Sequence, residues 1–171
     1  MLNHFALHAF TDAYWALPPA ARVELGRDWL AGLRAAAPSV QLYQPTESGV
    51  DVIAWSVLPV EEPATTADFF ECYARATNVH RPYLRPLDAL WGYTRPSQYT
   101  KTRSTQEVDP FAETRRRYLV IYPFVKTTEW YLLGREARQG MMNEHIRIGK
   151  QYEEISRCCC TRSGCRTRSS W

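Results

Sequence analysis

Along the first 94 residues the apolar positions change period four times, and a turn divides one strand-like region, so that six elements are predicted. Residues 3–14 are rich in apolar and aromatic side chains and predict a first strand. Pro18 and Pro19 stand where a helix can begin. Ala20 to Ala37 then carries Val23, Leu30 and Leu33 at helical spacing, with Trp29 beside them, until Pro38 ends it. Val40 to Tyr43 and Val50 to Leu58 read as two strands joined by a turn around Pro45 to Gly49. Glu61, Glu62 and Pro63 open a second helix over Thr66 to Thr77, with Phe69, Phe70, Tyr73 and Ala76 on one side. Cys72, alone in that helix, reads as core. Leu90 to Thr94 reads as a fourth strand.

That order is strand, helix, strand, strand, helix, strand: the ferredoxin-like βαββαβ unit of the α+β class. It predicts an N-terminal unit over residues 1–95 and a polar, threonine- and arginine-rich linker over 96–116. The order then restarts. Arg117 to Lys126 reads as an apolar strand, a short polar turn follows, and Glu136 to Gln151 reads as a helix. Residues 117–156 would thus be the first half of a second such unit, a dimeric α/β-barrel layout. No internal sequence repeat supports the duplication, which is inferred from element order.

The chain has 171 residues, 45% of them hydrophobic, enough for one substantial core or two small ones. No apolar run approaches the length of a membrane span. The start lacks a basic leader followed by a long apolar stretch, so the expected location is the cytoplasm. The net charge is +3, but residues 157–171 hold four arginines and no acid, which leaves the remainder at −1. No basic face interleaved with aromatic residues is legible, and nucleic acid is not an expected partner.

Cysteines are as unevenly spread. Cys158, Cys159, Cys160 and Cys165 crowd the last 14 residues, without the two-residue gap that lets paired thiolates grip zinc. The genetic code offers another account. Read one nucleotide earlier, the junctions of the cysteine codons specify leucine whatever codons are used, and the stretch becomes an apolar strand, a turn and a second strand. Residues 157–171 are therefore expected to be an aberrant, frameshifted tail replacing the rest of the second unit.

The candidate chemistry lies between residues 122 and 152. A phenol, Tyr122, and an amine, Lys126, fall at the end of the expected strand, and the helix beyond carries one imidazole, His145. Met141, Met142, His145, Ile148 and Gly149 recur at three- and four-residue intervals and share one side of that helix. A soft apolar wall around a single imidazole suits a porphyrin, whose iron takes nitrogen and whose faces take hydrocarbon. By spacing alone a core histidine and a packing tyrosine remain open. Trp130 and Tyr131 read equally as pocket mouth or as junction packing, and the run Arg115-Arg116-Arg117 as propionate partners or a solvated face. Glu144, adjacent to His145, is off its helical face and a poor hydrogen-bond partner for it.

Three motifs in order, Tyr122-Pro-Phe-Val-Lys126, Glu129-Trp-Tyr-Leu-Leu133 and Met141-Met-Asn-Glu-His-Ile-Arg-Ile-Gly149, resemble the chlorite dismutase family of haem proteins, on its coproheme decarboxylase side. The resemblance is dense from Arg117 to Tyr152. It implies two ferredoxin-like units per subunit, the second binding haem or Fe-coproporphyrin III, in a homo-oligomer that is pentameric in the family. It implies that His145 is the axial iron ligand, with Trp130, Met141 and Ile148 about the porphyrin. Tyr122 would carry the radical, and Lys126 would lie near a propionate. The reaction implied is hydrogen-peroxide-dependent oxidative decarboxylation of coproheme to haem b, the iron porphyrin being both cofactor and substrate. Chlorite decomposition is the second enzymatic reading, and a non-catalytic haem-binding or α/β-barrel interaction module the third. A distal histidine used by some decarboxylases would fall near Thr105, and no histidine stands between Arg81 and Glu144.

Overall fold

The computed structural model describes residues 1–94, 99, 106–114 and 116–161. The chain divides into two compact units. Among the described residues, the first comprises 1–94 with Cys160 and Thr161, and the second comprises the remainder up to Cys159.

The first unit begins with β1 (Leu2–Phe10), the short helix α1 (Asp12–Trp15) and α2 (Pro19–Ala36). There follow β2 (Ser39–Tyr43), β3 (Val52–Leu58), α3 (Pro63–Asn78) and β4 (Leu84–Thr94). All strands pair antiparallel in the order β2-β3-β1-β4, with β5 (Cys160–Thr161) on the outer edge of β4. This is the ferredoxin-like topology that the element order predicted, with central β1 flanked by β3 and β4. The β2–β3 connection turns at Gly49, whose φ of +80° costs a residue without a Cβ little. The expected fourth strand is longer than its apolar run, because residues 84–89 extend it by pairing with Phe10 back to Ala6.

Strand alternation sends Leu2, His4, Ala6 and His8 of β1 to the face covered by α2 and α3. Trp29 and Leu33 of α2 meet Phe69 and Tyr73 of α3 there, over Val52, Ala54 and Leu58. The helices approach closely: a Cβ on Gly32 would lie 2.9 Å from that of Ala76. The buried row of α3 runs Phe69, Tyr73, Thr77, and Cys72 falls outside it. Contrary to the expectation from sequence, Cys72 is exposed. Its apolar neighbours belong to a stripe one helical step away.

Two buried imidazoles occupy this core. His4 sits edge-on to Phe69, Phe70 and Tyr73, and His8 edge-on to Trp29. Among the described residues neither Nδ1 has a hydrogen-bond partner, and nor does Ser56 Oγ. Burial pushes His4 down from 6.5 to about 4, with the neighbouring His8 adding to the effect. Burial likewise lowers His8 to about 4; a backbone hydrogen bond with Ala6 opposes the shift, and the charge of Arg81 favours it.

In the second unit the short helix α4 (Thr128–Leu132) precedes α5 (Arg135–Gly149). The helix predicted over Glu136 to Gln151 is present, its C-terminus two residues earlier. The strand predicted over Arg117 to Lys126 is absent: those residues form no ladder. Its side chains nonetheless alternate, with Leu119 and Ile121 half-buried while Tyr118, Val120 and Tyr122 are exposed. A strand's backbone hydrogen bonds must come from a neighbour, and among the described residues none pairs with this segment. A helix makes its own, and α5 forms where the strand does not.

The second unit also closes on itself at the end of α5. Gln106 Nε2 donates to the carbonyls of Gly149 (3.5 Å) and Tyr152 (2.6 Å), and Arg157 Nη2 donates to Gly149 O. Glu107 and Arg157 form a parallel bridge beside them. These donors serve carbonyls that a helix C-terminus leaves without partners. Thr105, where a distal histidine would have been sought, lies outside the described residues, as do Arg115, Cys165 and Arg162, Arg166 and Arg168 of the tail.

Candidate functional site

The site residues named from sequence all fall in the second unit. His145, Met141 and Ile148 project from α5 within about 60° of one another around its axis, as the 100° step per residue requires. All three are exposed, Met141 at 54% and Ile148 at 44%. Gly149, one turn on, is the buried residue of α5. No hydrogen bond among the described residues engages the His145 imidazole. Glu144 is not its partner: both its oxygens accept from Arg147, at 2.7 and 3.0 Å, and this pairing holds the Glu144 carboxyl below its ordinary range.

Lys126 and Trp130 are brought together. Thr127 caps α4, its hydroxyl accepting from the Trp130 N–H at 3.4 Å, which fixes where the indole emerges. Lys126 Nζ lies 4.6 Å from the centroid of the Trp130 ring and 5.5 Å from that of Tyr99, within the range of cation–π attraction. Tyr122 stands apart from this group. It is 70% exposed, and its ring neighbour is Phe124, two residues on and 6.1 Å away. No contact among the described residues joins Tyr122 to His145. Of the arginine run, Arg116 donates to Ser156 Oγ at 3.1 Å and Arg117 lies over the Tyr118 ring.

Sequence reasoning missed a cleft beside these residues, lined by Tyr99, Arg135, Arg138 and Gln139. Gln139 Nε2 donates to Tyr99 O at 3.2 Å and to Asn143 Oδ1 at 2.8 Å, which ties Tyr99 to α5. Tyr99 falls in the segment that reads as a linker, and nothing in its sequence neighbourhood signals this contact. Arg135 and Arg138 do carry a signal in retrospect. They are cations in the first turn of a helix, where the dipole disfavours positive charge.

The exposed imidazole and its apolar neighbours form an open, one-sided platform. Such a donor set fits an iron porphyrin approached from the His145 side: an uncommitted nitrogen for the metal, thioether and aliphatic carbon for the ring. Among the described residues no group of three His, Cys, Asp or Glu side chains is arranged to hold a metal ion by itself.

The first unit is a ferredoxin-like α+β fold and the second presents this platform, an arrangement that places the chain in a recognisable class. A chlorite dismutase family profile matches residues 40–164, and the chain belongs to that family. The coproheme decarboxylase of Mycolicibacterium smegmatis is 31% identical over 74 residues, 42% of this chain and 31% of that protein. The chain thus matches about a third of the length of this curated relative. Chlorite dismutase from Candidatus Nitrospira defluvii in complex with imidazole superposes with a TM-score of 0.61 at 18% identity, covering 88% of this chain and 65% of that one. A mutant of the same enzyme gives 0.60 at 18% identity, covering 89% and 66%. At these identities the solved structures establish the fold.

Proposed function

We propose that the protein is a haem-dependent oxidoreductase of the coproheme decarboxylase type, converting Fe-coproporphyrin III to haem b with hydrogen peroxide. The observation that carries the reading is α5, which offers one uncommitted imidazole between Met141 and Ile148. The similarity to a curated coproheme decarboxylase supports it.

His145 holds the iron from one side, and Met141 and Ile148 cover the ring beside it. The bound iron porphyrin supplies the oxidising chemistry when peroxide is present. Tyr122 would act as a hydrogen-atom relay: once oxidised to its phenoxyl radical by the peroxide-treated porphyrin, it takes a hydrogen from the propionate arm that is to become a vinyl group and returns to the phenol. Lys126, within cation–π range of the Tyr99 and Trp130 rings, draws the propionate carboxylate by charge. Each of the two propionates that become vinyl groups loses its carboxyl as carbon dioxide, with one proton and two electrons; peroxide accepts these and, with one further proton, becomes water. A homo-oligomeric assembly and a cytoplasmic setting belong to the same proposal. No helix among the described residues is long and apolar enough to cross a membrane. Chlorite decomposition is the competing reading, favoured by the solved neighbours, which are chlorite dismutases.

The test is a titration with Fe-coproporphyrin III followed by peroxide, with mass detection of vinyl products. His145→Ala should abolish the five-coordinate ferric spectrum, and Tyr122→Phe should keep the spectrum while decarboxylation collapses. Turnover by Tyr122→Phe at the parent rate would reduce Tyr122 to a wall residue. Dioxygen from chlorite without vinyl product from coproheme would select the competing reading.

A further inference from the structure

The cleft of Tyr99, Arg135, Arg138 and Gln139 has features that folding alone does not explain. Two cations in the first turn of α5 oppose its dipole, and neither has an ion-pair partner among the described residues. Arg138 Nε is enclosed and makes no hydrogen bond among them. A buried N–H of a charged group without an acceptor is costly, and the cost is recovered when an anion arrives. The first-turn N–H groups of α5 favour the same sign of ligand. The acids nearest in sequence do not fill this role. Glu129 is occupied with its own N–H and the Thr127 hydroxyl, and among the described residues no ion pair joins Glu136 to either arginine.

Tyr99 links this cleft to Lys126, since it lines the cleft and its ring centroid lies 5.5 Å from the Lys126 ammonium. Arg138 is also seven residues before His145, two turns along the same stripe of α5 and about 10.5 Å away along its axis. That separation is comparable to the reach of a porphyrin's carboxylate arms from its metal.

We propose that Arg135 and Arg138, with Lys126 beside Tyr99, form a carboxylate-binding cleft that takes a propionate of the iron porphyrin and orients the macrocycle on His145. This rests on the porphyrin reading above and extends it to residues that reading does not use. A guanidinium fork matches a carboxylate bidentately, and the lysine adds a point charge. The arginines are positioning residues: they set which arm of the substrate is held and therefore how the ring lies.

Two probes separate the cleft from the porphyrin reading. Citrate carries the carboxylates without iron or ring. It should shift the Arg138 Nε–H and Trp130 indole N–H resonances saturably, which sodium chloride at equal ionic strength should not do. Arg138→Ala should weaken citrate binding roughly tenfold, the usual scale for one charge-assisted hydrogen bond, while Arg138→Lys recovers part of it. Both replacements are good helix formers, and circular dichroism checks that α5 persists. Fe-coproporphyrin III should bind the Arg135→Ala/Arg138→Ala variant roughly tenfold or more weakly, with its axial-ligand spectrum unchanged. Absence of a saturable citrate shift, or one that survives in the double variant, overturns the cleft. Unaltered Fe-coproporphyrin III binding by the double variant also overturns it, while leaving His145 ligation standing. Citrate binding lost in the double variant, with no porphyrin bound by the parent, supports the cleft as a carboxylate site and defeats the porphyrin reading instead.

Discussion

In the first unit Leu2, Leu33 and Leu84 are wholly buried between the sheet and its helices, whereas in the second Tyr118, Val120 and Leu132 are more than three-quarters exposed. Both regions have apolar side chains at regular spacing. They differ in what faces those side chains. In the first unit β1 is paired on both edges and covered by two helices, so its alternation becomes a core. In the second, α5 forms from its own hydrogen bonds and presents an apolar stripe outward, and the segment before it stays extended without a ladder. Stability is therefore expected to reside in the first unit and ligand chemistry in the second.

The largest test of that division is Phe69→Ala. Phe69 is 2% exposed at the centre of the first core, and its truncation should cost about 3–5 kcal/mol in chemical denaturation. A loss under about 1 kcal/mol would mean that this core is not what holds the unit.

Acid should come next. His4 and His8 are held to about 4 in the folded state against 6.5, so the unfolded chain binds more protons as pH falls below 6.5. Their contribution is intact above pH 6.5, declines through the window down to 4, and levels off beneath it. By linkage the loss at pH 5 is about 2 kcal/mol for each histidine. His4→Leu and His8→Leu should each flatten about half of this dependence in denaturation curves taken from pH 7.5 to 5. A pH profile unchanged in both variants would place the acid sensitivity elsewhere.

A smaller effect is expected from Gly32→Ala, which drives a methyl against Ala76 and should destabilise the α2–α3 contact by about 1–3 kcal/mol. Measured stabilisation, as helix propensity alone would give, would show that the helices can part there.

The smallest belongs to the second unit. Ile148→Ala removes a side chain that is 44% exposed and should cost less than about 1 kcal/mol in the protein without porphyrin. The same variant should weaken Fe-coproporphyrin III binding measurably in a spectral titration. A core-sized stability loss would mean that α5 is already covered, and the contrast between the units would fail.

Much of this contrast was legible before the fold was seen. The periodicity of Val23, Leu30 and Leu33, the β-branched runs at Val40 and Val52, and the proline boundaries specify elements locally, and their order specifies the ferredoxin-like unit. The motif from Met141 to Gly149 is likewise local, since helical spacing alone puts His145 between Met141 and Ile148. The family membership is carried by the sequence too.

What tertiary structure decided depends on partners distant along the chain. Leu119 and Ile121 alternate as a strand should, yet a strand exists only where another supplies its donors and acceptors. His4 and His8 look like any histidines in an apolar strand. Only the arrival of Phe69, Tyr73 and Trp29 from α2 and α3 strips them of water and lowers their affinity for protons. Cys72 and Tyr99 show the same limit from opposite sides. One reads as core and is exposed, the other reads as linker and lines a cleft, because burial is set by what packs against a residue and not by its immediate neighbours in sequence.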